Sequence, residues 1–251
     1  MGANAILADM GRCIGCQACV VACKTGRELG PNETTIYIRE EIQGTYPKLW
    51  GTFMHHRCFH CAEAACVAVC PTGALAKVDG LTAVDLTKCT GCGYCVDACP
   101  YHIPTMYDGR VSKCAGCTDV IADGKAPFCV QTCPSHALEF GPRDEMVALA
   151  QERVGELQRT QPNAQVYGLT QLGGLGTLFV LPAAATTFGL PDNPEIPKSI
   201  TVWKRGVQTG AEGFGLLALL AAGVAFLLAR RNHLRERAGR EALPSAAAKE
   251  R

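Results

Sequence analysis

The hydrophobic residues of this chain follow two contrasting patterns. In residues 1–140 the apolar runs are short and broken by glycine, proline and charged residues, whereas every residue from Gly213 to Ala229 is uncharged. A run rich in Leu, Ala, Val and Phe that ends at Arg230-Arg231 is typical of a membrane-spanning helix, which needs about 20 residues to cross ~30 Å of hydrocarbon. We therefore predict one transmembrane helix at residues 206–229, with a buried soluble helix as the alternative.

Periodicity also predicts a shorter amphipathic helix and several strands. Between Gly141 and Arg159 the apolar residues recur at helical spacing, and we interpret this face as a packing surface. These residues are Met146, Val147, Leu149, Ala150, Val154 and Leu157. Residues 34–39 and 74–78 favour strands, and the Asp-Gly pairs at 79–80 and 108–109 favour hairpin turns.

The stretch between the two predicted helices is harder to assign. Residues 172–190 are apolar enough to suggest a membrane span, but their glycine, proline and threonine content disfavours a spanning helix, although glycine is tolerated in membrane helices. Residues 189–198 carry prolines at three positions and are expected to be extended. The sequence therefore predicts a connector here.

All sixteen cysteines lie in four clusters between residues 13 and 133. Each cluster ends with a four-residue step, and in three of them proline follows at once, which helps to end the short turn that carries the last cysteine. The motifs are Cys13-x2-Cys16-x2-Cys19-x3-Cys23, Cys58-x2-Cys61-x4-Cys66-x3-Cys70-Pro, Cys89-x2-Cys92-x2-Cys95-x3-Cys99-Pro and Cys114-x2-Cys117-x11-Cys129-x3-Cys133-Pro. Such spacing is typical of [4Fe-4S] ligands.

Two other uses of cysteine fit the motifs less well. Disulfide frameworks belong to small secreted scaffolds and do not repeat Cys-x2-Cys pairs in every cluster. Tetrahedral zinc needs no third cysteine at the same interval and no proline-terminated fourth. The formal net charge of +1 offers no basic footprint for nucleic acid, so we predict no nucleic-acid partner.

Iron–sulfur chemistry also predicts how motifs share ligands. Closely spaced cysteines wrap one cluster, while the fourth cysteine points away and serves a neighbouring cluster. The motifs therefore pair either first with fourth and second with third, or first with second and third with fourth. Sixteen thiolates are enough for four [4Fe-4S] clusters.

Charged and imidazole side chains accompany the motifs. A basic residue precedes the first cysteine of every motif, where it would stabilise the reduced cluster or simply be a solvated side chain. These residues are Arg12, Arg57, Lys88 and Lys113. His55, His56 and His60 crowd the second motif, but the thiolates already fill the ligand positions, so we expect these histidines not to bind a metal.

Charge around the predicted membrane helix indicates its orientation. Five arginines follow it, at 230, 231, 235, 237 and 240, against Lys198, Lys204 and Arg205 before it. The positive-inside rule then places the tail in the cytoplasm and the cysteine-rich part in the periplasm. Residues 1–10 resemble no signal peptide, so export would depend on a partner. A cytoplasmic cysteine-rich domain that weakly violates the rule is the alternative.

Several segments resemble one family of four-cluster electron-transfer subunits. Beyond the cysteine motifs, the resemblance to the beta subunit of membrane-bound formate dehydrogenase rests on Tyr101-His102-Ile103-Pro104, on residues 111–134, on Gly189 to Ile196, and on Trp203-Lys204. The cysteine motifs are shared by many oxidoreductases of molybdenum or tungsten, so the later segments discriminate.

That resemblance implies an α+β fold of two ferredoxin-like units, one nested inside the other. The outer unit would comprise residues 1–45 and 105–140 and the inner unit residues 46–104, followed by a helix and extended connector at 141–205, the transmembrane helix at 206–229 and a basic cytoplasmic tail at 230–251. Four ligand groups follow, each for one [4Fe-4S] cluster: set 1 (Cys13, Cys16, Cys19, Cys133), set 2 (Cys23, Cys114, Cys117, Cys129), set 3 (Cys58, Cys61, Cys66, Cys99) and set 4 (Cys70, Cys89, Cys92, Cys95).

The resemblance also implies partners. A bis-pterin molybdenum or tungsten catalytic alpha subunit would oxidise formate and a cytochrome b gamma subunit in the inner membrane would reduce quinone, with sets 1 and 2 nearer the catalytic subunit and set 4 last. Because no catalytic constellation is visible in this sequence, we expect a non-catalytic subunit. The same role beside a nickel–iron hydrogenase or a sulfur-compound reductase, and a membrane-tethered zinc-binding assembly factor, are the alternatives.

Overall fold

Two strands that lie far apart in the sequence form the centre of the first part of the molecule. The computed structural model describes residues 3–202, 207 and 209–241, and the chain divides into two compact units, Met1–Pro197 and Lys198–Arg251. In the first unit, β1 (Asn4–Asp9) pairs in parallel with β10 (Thr177–Leu181), and antiparallel strands β8 (Leu138–Pro142) and β9 (Gln165–Tyr167) flank them, in the order β8-β1-β10-β9.

The remaining elements of the described residues are short. They are α1 (Ala18–Gly26), β2 (Tyr37–Thr45), β3 (Lys48–His56), α2 (Ala65–Ala68), β4 (Leu75–Val78), β5 (Leu81–Val84), α3 (Tyr94–Ala98), β6 (Thr105–Tyr107), β7 (Arg110–Ser112), α4 (Thr118–Ala122), α5 (Phe128–Gln131), α6 (Arg143–Leu157), α7 (Lys198–Val202), two 3-10 turns at Gln171–Gly173 and Ala185–Phe188, and, as the one long exception, α8 (Thr209–Glu241).

The two faces of the sheet bury different partners. Because side chains alternate along a strand, Leu178 and Val180 of β10 point to one face and Phe179 and Leu181 to the other. The first face packs against α6 through Met146, Ala150 and Val154, which confirms the predicted amphipathic helix. The second face joins a core that includes Cys19, Cys23, Phe59 and Cys129. The sheet thus separates the packing helix from the cysteine-bearing segments.

Both predicted hairpin turns are confirmed. Strands β4 and β5 meet at Asp79-Gly80, and β6 and β7 meet at Asp108-Gly109. All four turn residues have positive φ, between 46° and 85°, as a tight two-residue hairpin turn requires. The strand expected at 34–39 begins at Tyr37, runs to Thr45 and pairs with β3 in a long hairpin.

The connector predicted after α6 needs correction. Residues 165–167 and 177–181 are strands of the central sheet, and every residue of β10 is buried. A central strand covered on both faces has no polar alternation, so the sequence of β10, which is apolar at every position but Thr177, resembles a membrane segment rather than a half-exposed strand. Residues 190–197 contain neither helix nor strand, as expected of the connector.

In the described residues of the second unit, one helix is long and apolar enough to cross a membrane. Its apolar part spans Gly213–Arg237 with mean hydropathy 2.0, and none of that part is buried. Helix α8 itself continues to Glu241, beyond the predicted membrane segment. Residues 1–2, 203–206, 208 and 242–251, which include Trp203 and Lys204, lie outside the described residues.

Candidate functional site

One backbone conformation recurs in all four cysteine motifs. The residue just before the second cysteine has a left-handed backbone in each, with φ of 67° at Gly15, 52° at His60, 71° at Gly91 and 75° at Gly116. This conformation turns the chain sharply between two cysteines that are three positions apart. In the first three motifs the next helix carries the third cysteine, and in the fourth motif Cys129 lies on α5. Glycine adopts it without strain, so three of the four motifs use glycine.

Three small cavities are each lined by four cysteines. The four cysteines of set 1 line one cavity together with Met10 and Leu138. The four cysteines of set 3 line the second cavity, together with Phe59 and Tyr101. The four cysteines of set 4 line the third cavity, together with Leu75 and Val111. Each cavity thus brings together cysteines from two different motifs.

The cysteines of set 2 are the most deeply placed. Cys23, Cys114, Cys117 and Cys129 are all buried, and all sixteen cysteines of the protein are free. Burial raises the pKa of the Cys23 thiol, and the nearby Cys114 and Cys129 raise it further. Burial likewise raises the pKa of Cys117 to about 11, and Cys114 and Cys129 contribute to the rise.

The exposure of the cysteines differs among the four sets. Cys16 of set 1 and Cys92 of set 4 are exposed, whereas set 2 is buried throughout. Ile14 near Cys16 and Tyr94 near Cys92 are also exposed, with 60% and 58% of their surface accessible. Sets 1 and 4 therefore reach the surface of the first unit.

The thiol pKa values fit a group that brings positive charge. Burial, with the repulsion of neighbouring thiolates, raises the pKa of Cys19 and of Cys66 to about 12. Iron binds the thiolate and not the thiol, so cluster assembly must displace protons, and the iron ions remove the repulsion that burial makes costly. Four sulfur donors around each small cavity therefore fit [4Fe-4S] clusters.

Two of the four basic residues that precede the motifs are buried against cysteine sulfurs. Arg57 is 1% exposed, and its two terminal nitrogens donate to Cys129 Sγ at 3.3 Å and Cys114 Sγ at 3.6 Å. Lys113 Nζ donates to Cys58 Sγ at 3.8 Å and to the carbonyl oxygens of Thr82 and Cys114. Burial alone would raise the pKa of Cys114, but Arg57 and Lys113 lower it below its ordinary value.

The other two basic residues stay at the surface. Arg12 pairs with Asp9 and Glu139, and Lys88 pairs with Asp85 at 2.9 Å. Their charges are therefore already partnered by carboxylates and screened by solvent. The four-fold pattern in the sequence thus separates into two buried cations and two solvated ones.

The three histidines of the second motif also differ. His55 Nε2 lies 3.2 Å from Cys19 Sγ, and His60 Nε2 lies 3.5 Å from Cys114 Sγ. His56 instead stacks on Tyr37 with ring centroids 4.6 Å apart. Sequence reasoning did not find the roles of His55 and His60, although one signal was present: His60 occupies the position that glycine holds in the other motifs.

Comparison with known proteins first defines the class. Two 4Fe-4S dicluster domain families match the sequence, one over residues 12–74 and the other over residues 50–143. The matched region holds every cysteine motif. The protein is thus a 4Fe-4S dicluster protein, as the cysteine spacing predicted.

Full-length relatives then define the family. The chain is 36% identical over 243 residues to the formate dehydrogenase-O iron-sulfur subunit of Escherichia coli (strain K12), covering 87% of this chain and 80% of that protein. It is 34% identical over 239 residues to a formate dehydrogenase iron-sulfur subunit of Haemophilus influenzae, covering 85% and 77%. The B subunit of an anaerobic dimethyl sulfoxide reductase of E. coli is 38% identical over 165 residues, covering 61% and 78%. This protein belongs to the family of formate dehydrogenase iron–sulfur subunits, which confirms the predicted resemblance.

Proposed function

We propose that this protein is the electron-transfer subunit of a membrane-bound formate dehydrogenase. It would carry electrons from a molybdenum or tungsten catalytic alpha subunit to a cytochrome b gamma subunit that reduces quinone. The observation that carries the proposal is that twelve of the sixteen free cysteines line three cavities, four to each, in a sequence that aligns with formate dehydrogenase subunits over most of its length. The alignments with the formate dehydrogenase subunits also extend beyond the cysteine region.

The ligand groups are sets 1 to 4, with the first and fourth motifs forming the outer unit and the second and third the inner unit. The three cavities support this pairing, because each contains the fourth cysteine of the partner motif: Cys133 in set 1, Cys99 in set 3 and Cys70 in set 4. Pairing the first motif with the second would instead require Cys70 beside Cys13.

The protein residues provide the setting for redox chemistry. When bound, [4Fe-4S] clusters supply reversible one-electron transfer. The protein holds their ligands in tight turns, excludes water from set 2, and directs N–H groups of Arg57 and His60 at the sulfurs, while His55 Nε2 lies 3.2 Å from Cys19 Sγ. Exposed residues at sets 1 and 4 leave the two ends of the series accessible for electron entry and exit.

A second candidate partner is a sulfur-compound reductase. The relative named for dimethyl sulfoxide reductase favours it, although that alignment covers less of this sequence. Mass spectrometry of the detergent-solubilised complex identifies the large subunit that copurifies. A formate dehydrogenase catalytic subunit supports the proposal, and a hydrogenase or reductase subunit overturns it.

Iron analysis tests the cluster count. Four complete sets of four thiolates predict about sixteen iron atoms per copy of this subunit, with equal acid-labile sulfide. Both are measured on the purified complex after subtracting the clusters of the catalytic subunit. Half that iron, or stoichiometric zinc, would contradict the assignment.

Topology of the membrane helix is a separate prediction. The arginines at 230, 231, 235, 237 and 240 favour a cytoplasmic C-terminus and a periplasmic cluster domain. A tag appended after Arg251 should resist protease in right-side-out spheroplasts and be cut only after lysis. Cleavage from outside would show that the tail is periplasmic and the cluster domain cytoplasmic.

A further inference from the structure

Each of the two buried cations contacts cysteines of a motif other than the one that it precedes. Arg57 immediately precedes the second motif, yet its guanidinium contacts Cys129 and Cys114 of set 2. Lys113 immediately precedes the fourth motif, yet its ammonium contacts Cys58 of set 3. The backbone of each residue is therefore next to a cysteine of one set, while its charged group contacts sulfur of the other set. Both side chains thus lie between set 2 and set 3.

His60 adds a third donor at the same place, and its tautomer follows from its contacts. The backbone N–H of Thr82 donates to His60 Nδ1 at 2.9 Å, so Nδ1 must be unprotonated. In the neutral ring the proton is then on Nε2, which faces Cys114 Sγ at 3.5 Å. His60 thus donates a hydrogen bond to a sulfur of set 2, while its backbone lies in the turn that carries set 3.

The backbone of His60 shows that this ring has a specific use. A left-handed conformation is unfavourable for a residue with a side chain, and the equivalent residues are glycines in the other three motifs. Its surroundings hold it in place: Gly176 N and Lys77 Nζ both donate to His60 O, each at 3.0 Å. Strain retained where glycine would serve indicates a role for the side chain.

Sets 1 and 4 have a different electrostatic environment. Among the described residues, the groups that form hydrogen bonds with their sulfurs are neutral: His55 and Ser135 for set 1, and Val111 N and Thr72 for set 4. Within the described part of the protein, the buried cations that contact cysteine sulfurs are thus confined to the junction of sets 2 and 3.

We propose that Arg57, Lys113 and His60 form a bridge that stabilises the reduced state of the clusters on sets 2 and 3 and so sets the electron-transfer step between the two ferredoxin-like units. The inference rests on the ligand sets of the proposed function. A reduced cluster carries one more negative charge than an oxidised one, and a buried cation at hydrogen-bond distance stabilises that charge far more than a solvated cation does. The three side chains are positioning residues, since each acts on the cluster through a ligand sulfur.

The test is an EPR-monitored redox titration of the complete, detergent-solubilised complex. Arg57→Gln and Lys113→Gln should each lower the midpoint potential of at least one cluster. The matched controls are Arg12→Gln and Lys88→Gln, which remove the solvated cations at the same motif position and should leave every potential unchanged. Unchanged potentials in the first pair, or equal shifts in the controls, would overturn the proposal.

Conservative and backbone-matched variants separate charge from packing. Arg57→Lys keeps the charge and should retain a potential closer to wild type than Arg57→Gln; an equal fall in both would refute the role of charge. His60→Gly relieves the backbone strain and removes only the ring, so it should fold and lower the potential of the set 2 cluster. If the glutamine variants lose iron, the His60→Gly variant provides the test. An unchanged midpoint potential of the set 2 cluster in that variant would count against the bridge.

The wild-type complex separates this inference from the proposed function. Fewer than sixteen irons in the wild type, or a catalytic partner of another class, would contradict the function itself. Unchanged potentials in variants of a sixteen-iron complex would contradict the bridge alone.

Discussion

Replacing Cys95 with serine should block electron delivery from formate to quinone while formate oxidation with an artificial acceptor survives. Cys95 is buried on α3 and lines the set 4 cavity with Cys70, Cys89 and Cys92. Loss of a hydrogen-bond partner of a metal ligand already costs about 10- to 100-fold in metal affinity or activity, so loss of the ligand should lower quinone reduction by at least ~100-fold. Set 4 is proposed to be last in the series, so an acceptor that takes electrons upstream should be little affected.

The measurement compares formate:quinone and formate:dye activities of one purified, fully assembled preparation. Asp97→Asn is the matched control, because Asp97 is exposed on the same short helix and should leave both activities intact. Iron should fall by about four atoms in Cys95→Ser if its cluster is lost, or by fewer if a three-iron cluster remains. Loss of both activities in an assembled complex would contradict the proposed order of the sets.

The grouping of cysteines around the three cavities could be predicted from the sequence, because cysteines that share a site recur at short, regular intervals. The same holds for the hairpin turns at Asp79-Gly80 and Asp108-Gly109 and for α6, whose apolar face repeats within a single helix. These features depend on residues a few positions apart, so a pattern along the sequence determines them.

The central sheet could not be predicted in this way. Its middle pair joins Ile6 to Thr177, and the two partners are separated by nearly the whole cluster-bearing part of the protein. Strand β10 is apolar at almost every position because both faces are covered, so its alternation disappears. Only the pairing itself distinguishes such a strand from a connector or a membrane segment.

The sulfur contacts of Arg57 and Lys113 could not be predicted from the sequence either. Both stand at equivalent motif positions with Arg12 and Lys88, so the sequence cannot tell the buried pair from the solvated pair. Tertiary packing decides which sulfur each cation reaches. His60 did carry a local signal, since it replaces glycine at a turn position, but only the contact with Cys114 gives that signal a chemical meaning.

Truncating the protein after Lys204 should separate formate oxidation from the membrane. The deletion removes α8, whose Gly213–Arg237 part has mean hydropathy 2.0 and no burial within the protein itself. Transferring one exposed Leu, Val or Phe side chain into hydrocarbon contributes about 1.5–3 kcal/mol, and the helix carries Leu216, Leu217, Leu219, Leu220, Val224 and Phe226. We therefore expect dye-linked formate oxidation to move to the soluble fraction and quinone reduction to be lost.

The matched control is truncation after Glu241, which removes only the residues beyond α8 and should leave both activities in the membrane fraction. Fractionation, followed by the two activity assays and an iron measurement, distinguishes release from unfolding, because a released cluster domain keeps about sixteen irons. A truncated protein that still sediments with membranes and still reduces quinone would show that contacts with the membrane subunit suffice. In that case α8 would contribute little to holding the complex at the bilayer, and its apolar surface would need another explanation.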